Sequence, residues 1–384
     1  MSEKGKINRR GFLSTAAGSV MLAATNWPTT LEAEPRRLDT PEIRLGIVGC
    51  GPYAHQSYLS FISGAMGGRV HGTQFRITHL WGDDYHRNYA GSMAAKMDDN
   101  GFRPGARRAK ETGAELVRRP SDMIGKVDAV MVMDFDRSAD LAVPFLKERI
   151  PTFVNRPFAA TMADGRAIVS AARETGTALF TGSLVPWMVE TRKLKSQVNR
   201  ETLVSFQSDA LSRTYGQYVS HGLEFIYGIV GGDLGRARLT GWDGSGGYDP
   251  AILPPLLVEL EYEPIGDTPP CRGTMYASTY HFPHYWWFRG CHLDGMVAEG
   301  DIINHDGLNR TDVEYQWYIP FLAMVEQVFR TNTSPETGAD ILHKLGTLLC
   351  GHKSAVNGGA WVGMDEIETH RLASTVISRW DERV

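Results

Sequence analysis

The chain is short of cysteine, of surplus charge and of long apolar runs, and each shortage excludes a class of protein. Only Cys50, Cys271, Cys291 and Cys350 are present in 384 residues. They are scattered, and a disulfide at Cys50 would obstruct the glycine loop that holds it, so no disulfide framework is expected. A net charge of −4 supplies no broad basic field, so neither nucleic acid nor another polyanion is indicated as a partner. Beyond the N-terminal segment no apolar run approaches the ~18 residues of a membrane span, and the mature chain is expected to be soluble, with no stable span. His281, His284, Cys291 and His292 raise a metal question. Their spacing fits no compact zinc template, and on strands His281 and His284 would face opposite sides of a sheet, so no metal is expected.

What is present is the stuff of a globular enzyme-sized protein. A hydrophobic fraction of 42% against 22% charged residues gives enough apolar material for a sizeable core. At this length two domains plus a short extension are expected. The extension is at the start. Asn8-Arg9-Arg10-Gly11-Phe12-Leu13 sets paired arginines before a hydrophobic pair and a weak apolar run from Ala16 to Ala24, which looks like a twin-arginine export signal over residues 1–33. That pathway carries folded proteins, so the expected location is the periplasm or otherwise outside the cytoplasm, with the translocation machinery as a partner.

Residues 41–182 read as a dinucleotide-binding unit. The apolar run Glu42 to Val48 is a buried strand, followed by Gly49-Cys50-Gly51-Pro52-Tyr53-Ala54-His55 and a helical stretch from Gln56 to Ile62. Gly49 permits the tight turn, Gly51 lets backbone approach a pyrophosphate, and Ala54 stands where helix and strand pack closely, with Pro52 and Tyr53 between them. A second strand, Phe75 to Trp81, leads to Asp83 and Asp84, of which Asp83 is the better placed to accept from adenosine ribose hydroxyls. His86 and Arg87 could instead cradle a 2′-phosphate, which leaves NAD and NADP both open. Further strands are expected at 114–117, 127–133 and 151–154, with helix Ala139 to Glu148 before the last. In a doubly wound parallel sheet, the segments after strand ends open onto the ligand crevice, and here these hold Asp134 and Asn155-Arg156-Pro157. Residues 183–384 should form a second, α+β domain. Its expected features are a helix at 189–198, a strand from Leu203, a loop or insertion at 241–255, an aromatic run at 280–288, helices at 319–329 and 336–356, and a closing strand at 358–362. The aromatic run could stack on sugar rings or simply pack a sheet.

The succession Ile47-Val48-Gly49-Cys50-Gly51, Val127-Asp128-Ala129-Val130, Asn155-Arg156-Pro157-Phe158 and His221-Gly222-Leu223-Glu224 resembles the glucose-fructose oxidoreductase / inositol dehydrogenase / MocA family. The resemblance implies a Rossmann domain followed by an α+β domain with an open, mainly antiparallel sheet, which lines the substrate site and commonly makes an oligomer interface. It also implies a nicotinamide cofactor, possibly tightly bound, and a homo-oligomer. The family's Glu-Lys-Pro is here Asn155-Arg156-Pro157, the aspartate four residues before its histidine is Gln217, and a second aspartate is Glu224. An arginine cannot serve as a base, although it can hold an oxyanion. The residue of the trio that is unaltered, His221, is thus the base of an expected hydride transfer from a sugar, cyclitol or related polyol, with Glu224 orienting its ring or touching a sugar hydroxyl. A redox-neutral keto-sugar lyase or hydrolase using bound NAD, and a cofactor-bearing carbohydrate-binding protein without turnover, are the alternatives.

Overall fold

The computed structural model describes residues 42–49, 58, 62, 73–82, 109–133, 137–211, 215–242, 244, 256–278, 286–302 and 310–372. The export signal, the helical stretch after Gly49, the residues Gly51, Pro52, Tyr53, Ala54, Asp83 and Asp134, His281 and His284, and nearly all of the 241–255 loop lie outside them.

Six strands make the first sheet: β1 Ile43–Val48, β2 Phe75–Trp81, β3 Glu115–Leu116, β4 Ala129–Val132, β5 Thr152–Val154 and β6 Leu179–Thr181. All their pairings are parallel, in the order β3-β2-β1-β4-β5-β6. Helix α1 Ser138–Lys147 carries the chain from β4 to β5 and α2 Met162–Thr175 from β5 to β6. The near-continuous burial of β4, β5 and β6 is what helices on both faces of a parallel sheet impose. Thr161 starts α2 where the sequence changes period, its hydroxyl accepting from Asp164 N at 3.0 Å. The strand order reverses between β1 and β4, which places the ligand crevice beyond Gly49, Asn155 and Gly182.

A short helix, α3 Val189–Lys195, leads to the second sheet. Its strands are β7 Leu203–Leu211, β8 Leu234–Thr240, β9 Leu256–Tyr262, β10 Cys271–Ser278, β11 Trp286–His292, β12 Val297–Ile302 and β13 Val362–Gly363. They lie in the order β12-β11-β7-β10-β9-β8-β13, antiparallel except for β7 against β10. Alternation in β9 and β11 buries one face beneath helices α4 Ser220–Val230 and α6 Gly338–Val356. The other face carries cross-strand ion pairs, Arg236–Glu261 and Glu261–Arg272 both at 2.8 Å. The sheet is therefore two-sided in chemistry, and its expected open, mainly antiparallel form is observed.

Helix α5 Arg310–Thr331 is longer than the expected 319–329 and returns to the first sheet. Phe321 packs its ring against Tyr58, Phe153 and Phe180, and Glu326 accepts from Gln74 N at 2.9 Å. The closing strand, expected at 358–362, is Val362–Gly363 at the sheet edge beside β8, because Gly358 and Gly359 take positive φ in the turn that ends α6. Among the described residues no helix is long and apolar enough to cross a membrane.

Candidate active site

Three segments meet at the crevice. Asn155, Arg156 and Pro157 follow β5, Gly182 and Ser183 follow β6, and α4 brings His221 and Glu224 from the second half of the chain. Asn155, Arg156, Ser183, His221 and Glu224 are polar or charged side chains more than nine-tenths buried, Asn155 and Ser183 completely. Such groups must be paired to be tolerated.

The pairing is specific. The Arg156 guanidinium donates through Nη2 to His221 Nε2, and the opposite ring nitrogen, Nδ1, bonds Ser183 Oγ. The tautomer follows from the donors: a guanidinium has no acceptor, so Nε2 accepts, and the neutral ring carries its proton on Nδ1 and donates to Ser183. Ser183 Oγ also accepts from Val185 N at 3.0 Å, which fixes the hydroxyl against the backbone. Across the ring, Trp286 of β11 lies 5.9 Å from His221 between centroids, and Trp317 of α5 lies 6.0 Å from Trp286. Trp286 thus turns inward to the site, while Trp287 faces the other side of the sheet and donates to Glu299 at 3.2 Å. Gln217 lies on the Tyr215–Val219 turn just before α4, and only its backbone is described.

Glu224 is turned toward Ser183 and α6. Its Oε2 accepts from Ser183 N at 2.7 Å and faces Lys344 Nζ at 3.6 Å. Lys344 in turn donates to Glu336 at 2.6 Å. The ring of His221 is therefore oriented by Ser183. Burial pulls the Lys344 ammonium down, and the carboxylates of Glu336 and Glu224 more than offset it, leaving the lysine above its ordinary value. Burial also lifts Glu336 to about 7 against the pull of Lys344. Gly182 has φ 105° and a Cβ there would strike the Glu224 carboxylate, so only glycine lets the turn close over this pair. A cleft between the strand ends of the first sheet and helices α4 and α6 is lined by Pro157, Gly182, Glu224, Tyr227 and Lys344. Ser183, Lys344 and Glu336 were not singled out from sequence; for Ser183 the position just beyond a parallel strand was the available signal.

Two features of the crevice fit a dinucleotide. Gly49, directly after β1, has φ 99°, a conformation that side chains oppose, as the phosphate turn of such domains requires. Among the described residues the buried Asn155 amide nitrogen at the end of β5 has no hydrogen-bond partner, a donor that a ribose or carboxamide oxygen could satisfy. Among the described residues no three His, Cys, Asp or Glu side chains group to hold a metal ion.

Sheet order, second sheet and crevice together give a Rossmann-type parallel sheet followed by an open, mainly antiparallel one, a fold that solved dehydrogenases share. Myo-inositol dehydrogenase from Lactobacillus casei in complex with NAD(H) and myo-inositol is similar, with 11% identity over 84% of this chain and 96% of that one and a TM-score of 0.65. So are GenD2 from gentamicin A biosynthesis in complex with NAD, at 13% identity, coverage of 86% and 99% and a TM-score of 0.64, and the WlbA dehydrogenase from Bordetella pertussis in complex with NADH and UDP-GlcNAcA, at 15%, 85%, 98% and 0.60. At such identities the likeness is one of fold. No family model matches the sequence, and no curated protein matches it.

Proposed function

We infer that this chain is an NAD(P)-dependent oxidoreductase that transfers hydride from a CH–OH group of a sugar, cyclitol or related polyol, and that it is exported through the twin-arginine pathway. The observation that carries the reaction is the Arg156–His221–Ser183 chain at the strand ends of a Rossmann sheet. The fold shared with structures that bind NAD and inositol or a nucleotide sugar supports the choice of cofactor and substrate class. Gly49, Asn155, Arg156 and Pro157, with Gly51, Pro52, Tyr53, Ala54, Asp83 and Asp134 in the sequence pattern, would hold the dinucleotide, whose nicotinamide accepts the hydride.

The residues of the chain supply the proton chemistry. In the resting site the lone pair of His221 Nε2 is occupied by Arg156. A substrate hydroxyl entering between them takes over that bond: Nε2 accepts its proton while the guanidinium, which keeps its own, holds the oxygen as negative charge develops. Ser183 Oγ remains the acceptor for Nδ1–H and so stabilises the imidazolium. Trp286 packs buried beside His221 with Trp317 edge-on behind it, an aromatic wall to the site.

A panel of sugars and cyclitols added to purified mature protein with NAD or NADP, followed by nicotinamide absorbance, tests this. Reduction by at least one polyol, lost by about 10²-fold or more in His221→Ala, is expected. A bound cofactor that no polyol reduces would instead identify a binding protein. For export, replacement of Arg9 and Arg10 by lysine should leave the folded protein in the cytoplasm, as fractionation would show; unchanged secretion would contradict that part.

A further inference from the structure

The buried charges beyond His221 form no contact with a reacting atom, yet they end on Ser183, which bonds Nδ1 of the base. Glu224 Oε2 accepts from the backbone of Ser183 at 2.7 Å and faces Lys344 Nζ at 3.6 Å. Ser183 presents its hydroxyl to His221 Nδ1. The side chains of Glu224 and Lys344 are only 9% and 6% exposed, so the ammonium is the charge that permits a carboxylate to remain buried behind the turn. Gly182, whose missing Cβ makes room for both groups, joins the pair to the strand end. The two helices involved, α4 and α6, belong to the second half of the chain, whereas Ser183 follows the last strand of the first sheet.

We propose that Glu224 and Lys344 are a positioning pair that holds the Gly182–Ser183 turn, and through Ser183 helps keep His221 as the Nδ1–H tautomer with its Nε2 lone pair toward Arg156, where a substrate hydroxyl would enter. The pair touches no reacting atom. Its effect is geometric: if the turn relaxes, Ser183 Oγ leaves Nδ1, the ring loses one of the two bonds that hold it and can turn away from Arg156, and its proton can then sit on Nε2, where it could not accept one. The other charged and titratable groups facing Lys344 are Glu336 and Asp340, with Tyr227 beside them; Tyr227 donates to Asp340 at 2.5 Å, and none of these bonds Ser183. The proposal deepens the reaction inferred above and rests on His221 as its base.

The direct test reads the imidazole nitrogen resonances of His221 in nitrogen-labelled full-length mature protein, assigned by their loss in His221→Gln. Wild type should show a single Nδ1–H tautomer. Lys344→Met should show a mixture. That variant leaves two buried carboxylates without their cation and could fail to fold, so Glu224→Ala is the companion: it keeps the Lys344–Glu336 pair and should show the same mixture. Phe145→Leu, which loosens the core of the first sheet away from the site, should keep the wild-type spectrum. Folded Glu224→Ala or Lys344→Met with an unchanged single tautomer would overturn the pair. With a substrate in hand, either variant should lose about tenfold or more in kcat with KM little changed, and Lys344→Met/Glu224→Gln, where a neutral amide can accept from Ser183 without needing the ammonium, should recover most of that loss. A loss confined to KM, or no recovery in the double variant, would contradict the proposal. Because the resonances are read without substrate, absence of turnover on any polyol would sink the reaction and leave the pair standing, whereas an unchanged tautomer sinks the pair alone.

Discussion

At the scale of single residues, the site combines a permanent cation with a neutral imidazole. Arg156 stands where the resembling family has lysine, and its contact with His221 makes the histidine the group able to gain a proton. Arg156→Ala should therefore cost kcat through the lost oxyanion contact, by about 10²-fold; an unchanged kcat would reject that role. Glu336 supplies a pH prediction. Its carboxyl titrates at about 7 in the fold against an ordinary 4.5, so the folded state holds this proton more tightly than the unfolded chain. That stabilisation is complete below about 4.5 and is lost as pH rises through 7. Glu336→Gln, which cannot ionise, should gain stability relative to wild type from pH 5 to 8, on the order of 2–3 kcal/mol by denaturant titration. A difference that does not vary with pH would show that Glu336 ionises normally. His221 and Arg156 were legible in the sequence because each stands in a pattern with a known structural place. Ser183 and Lys344 were not: one is a lone serine before the apolar run Leu184 to Trp187, the other a lysine on an amphipathic helix, and only the fold brings them to the same carboxylate.

At the scale of elements, the turn after β6 is the part least tolerant of change. Gly182→Ala places a Cβ against the Glu224 carboxylate at a φ of 105°, which should destabilise the protein by about 1–3 kcal/mol and disturb His221 as well. Equal stability by thermal melting would show that the turn yields. Strands read well from sequence: β2 occupies Phe75–Trp81 as expected, and β1 and β5 fall within a residue of their expected bounds. Ends read less well, because a strand stops where its neighbour stops. The expected strand at 114–117 keeps only Glu115–Leu116 where it pairs with β2. The aromatic run was open between sugar stacking and sheet packing, and the pleat divides it, Trp286 toward His221 and Trp287 toward the opposite face.

At the scale of the whole molecule, α5 ties the halves together. Periodicity tells which face of a helix is apolar, not which sheet will cover it, and so the return of α5 to the first sheet could not be read from the chain. Phe321, fully buried among Phe153, Phe180 and Tyr58, should cost about 3–5 kcal/mol when changed to alanine and should lower the melting of both halves together. Separate transitions in calorimetry would contradict that coupling. The parallel order with its crevice at Gly49 and Asn155, closed over by His221 from the second half, is what makes a nicotinamide dinucleotide the expected occupant. The most direct test is to purify the folded mature protein, release any nucleotide with acid, identify it, and titrate the emptied protein with NAD and NADP by calorimetry. The account predicts a released dinucleotide or saturable binding of at least one of the two, weakened in Asn155→Leu. A folded protein that neither carries nor binds either dinucleotide would contradict it.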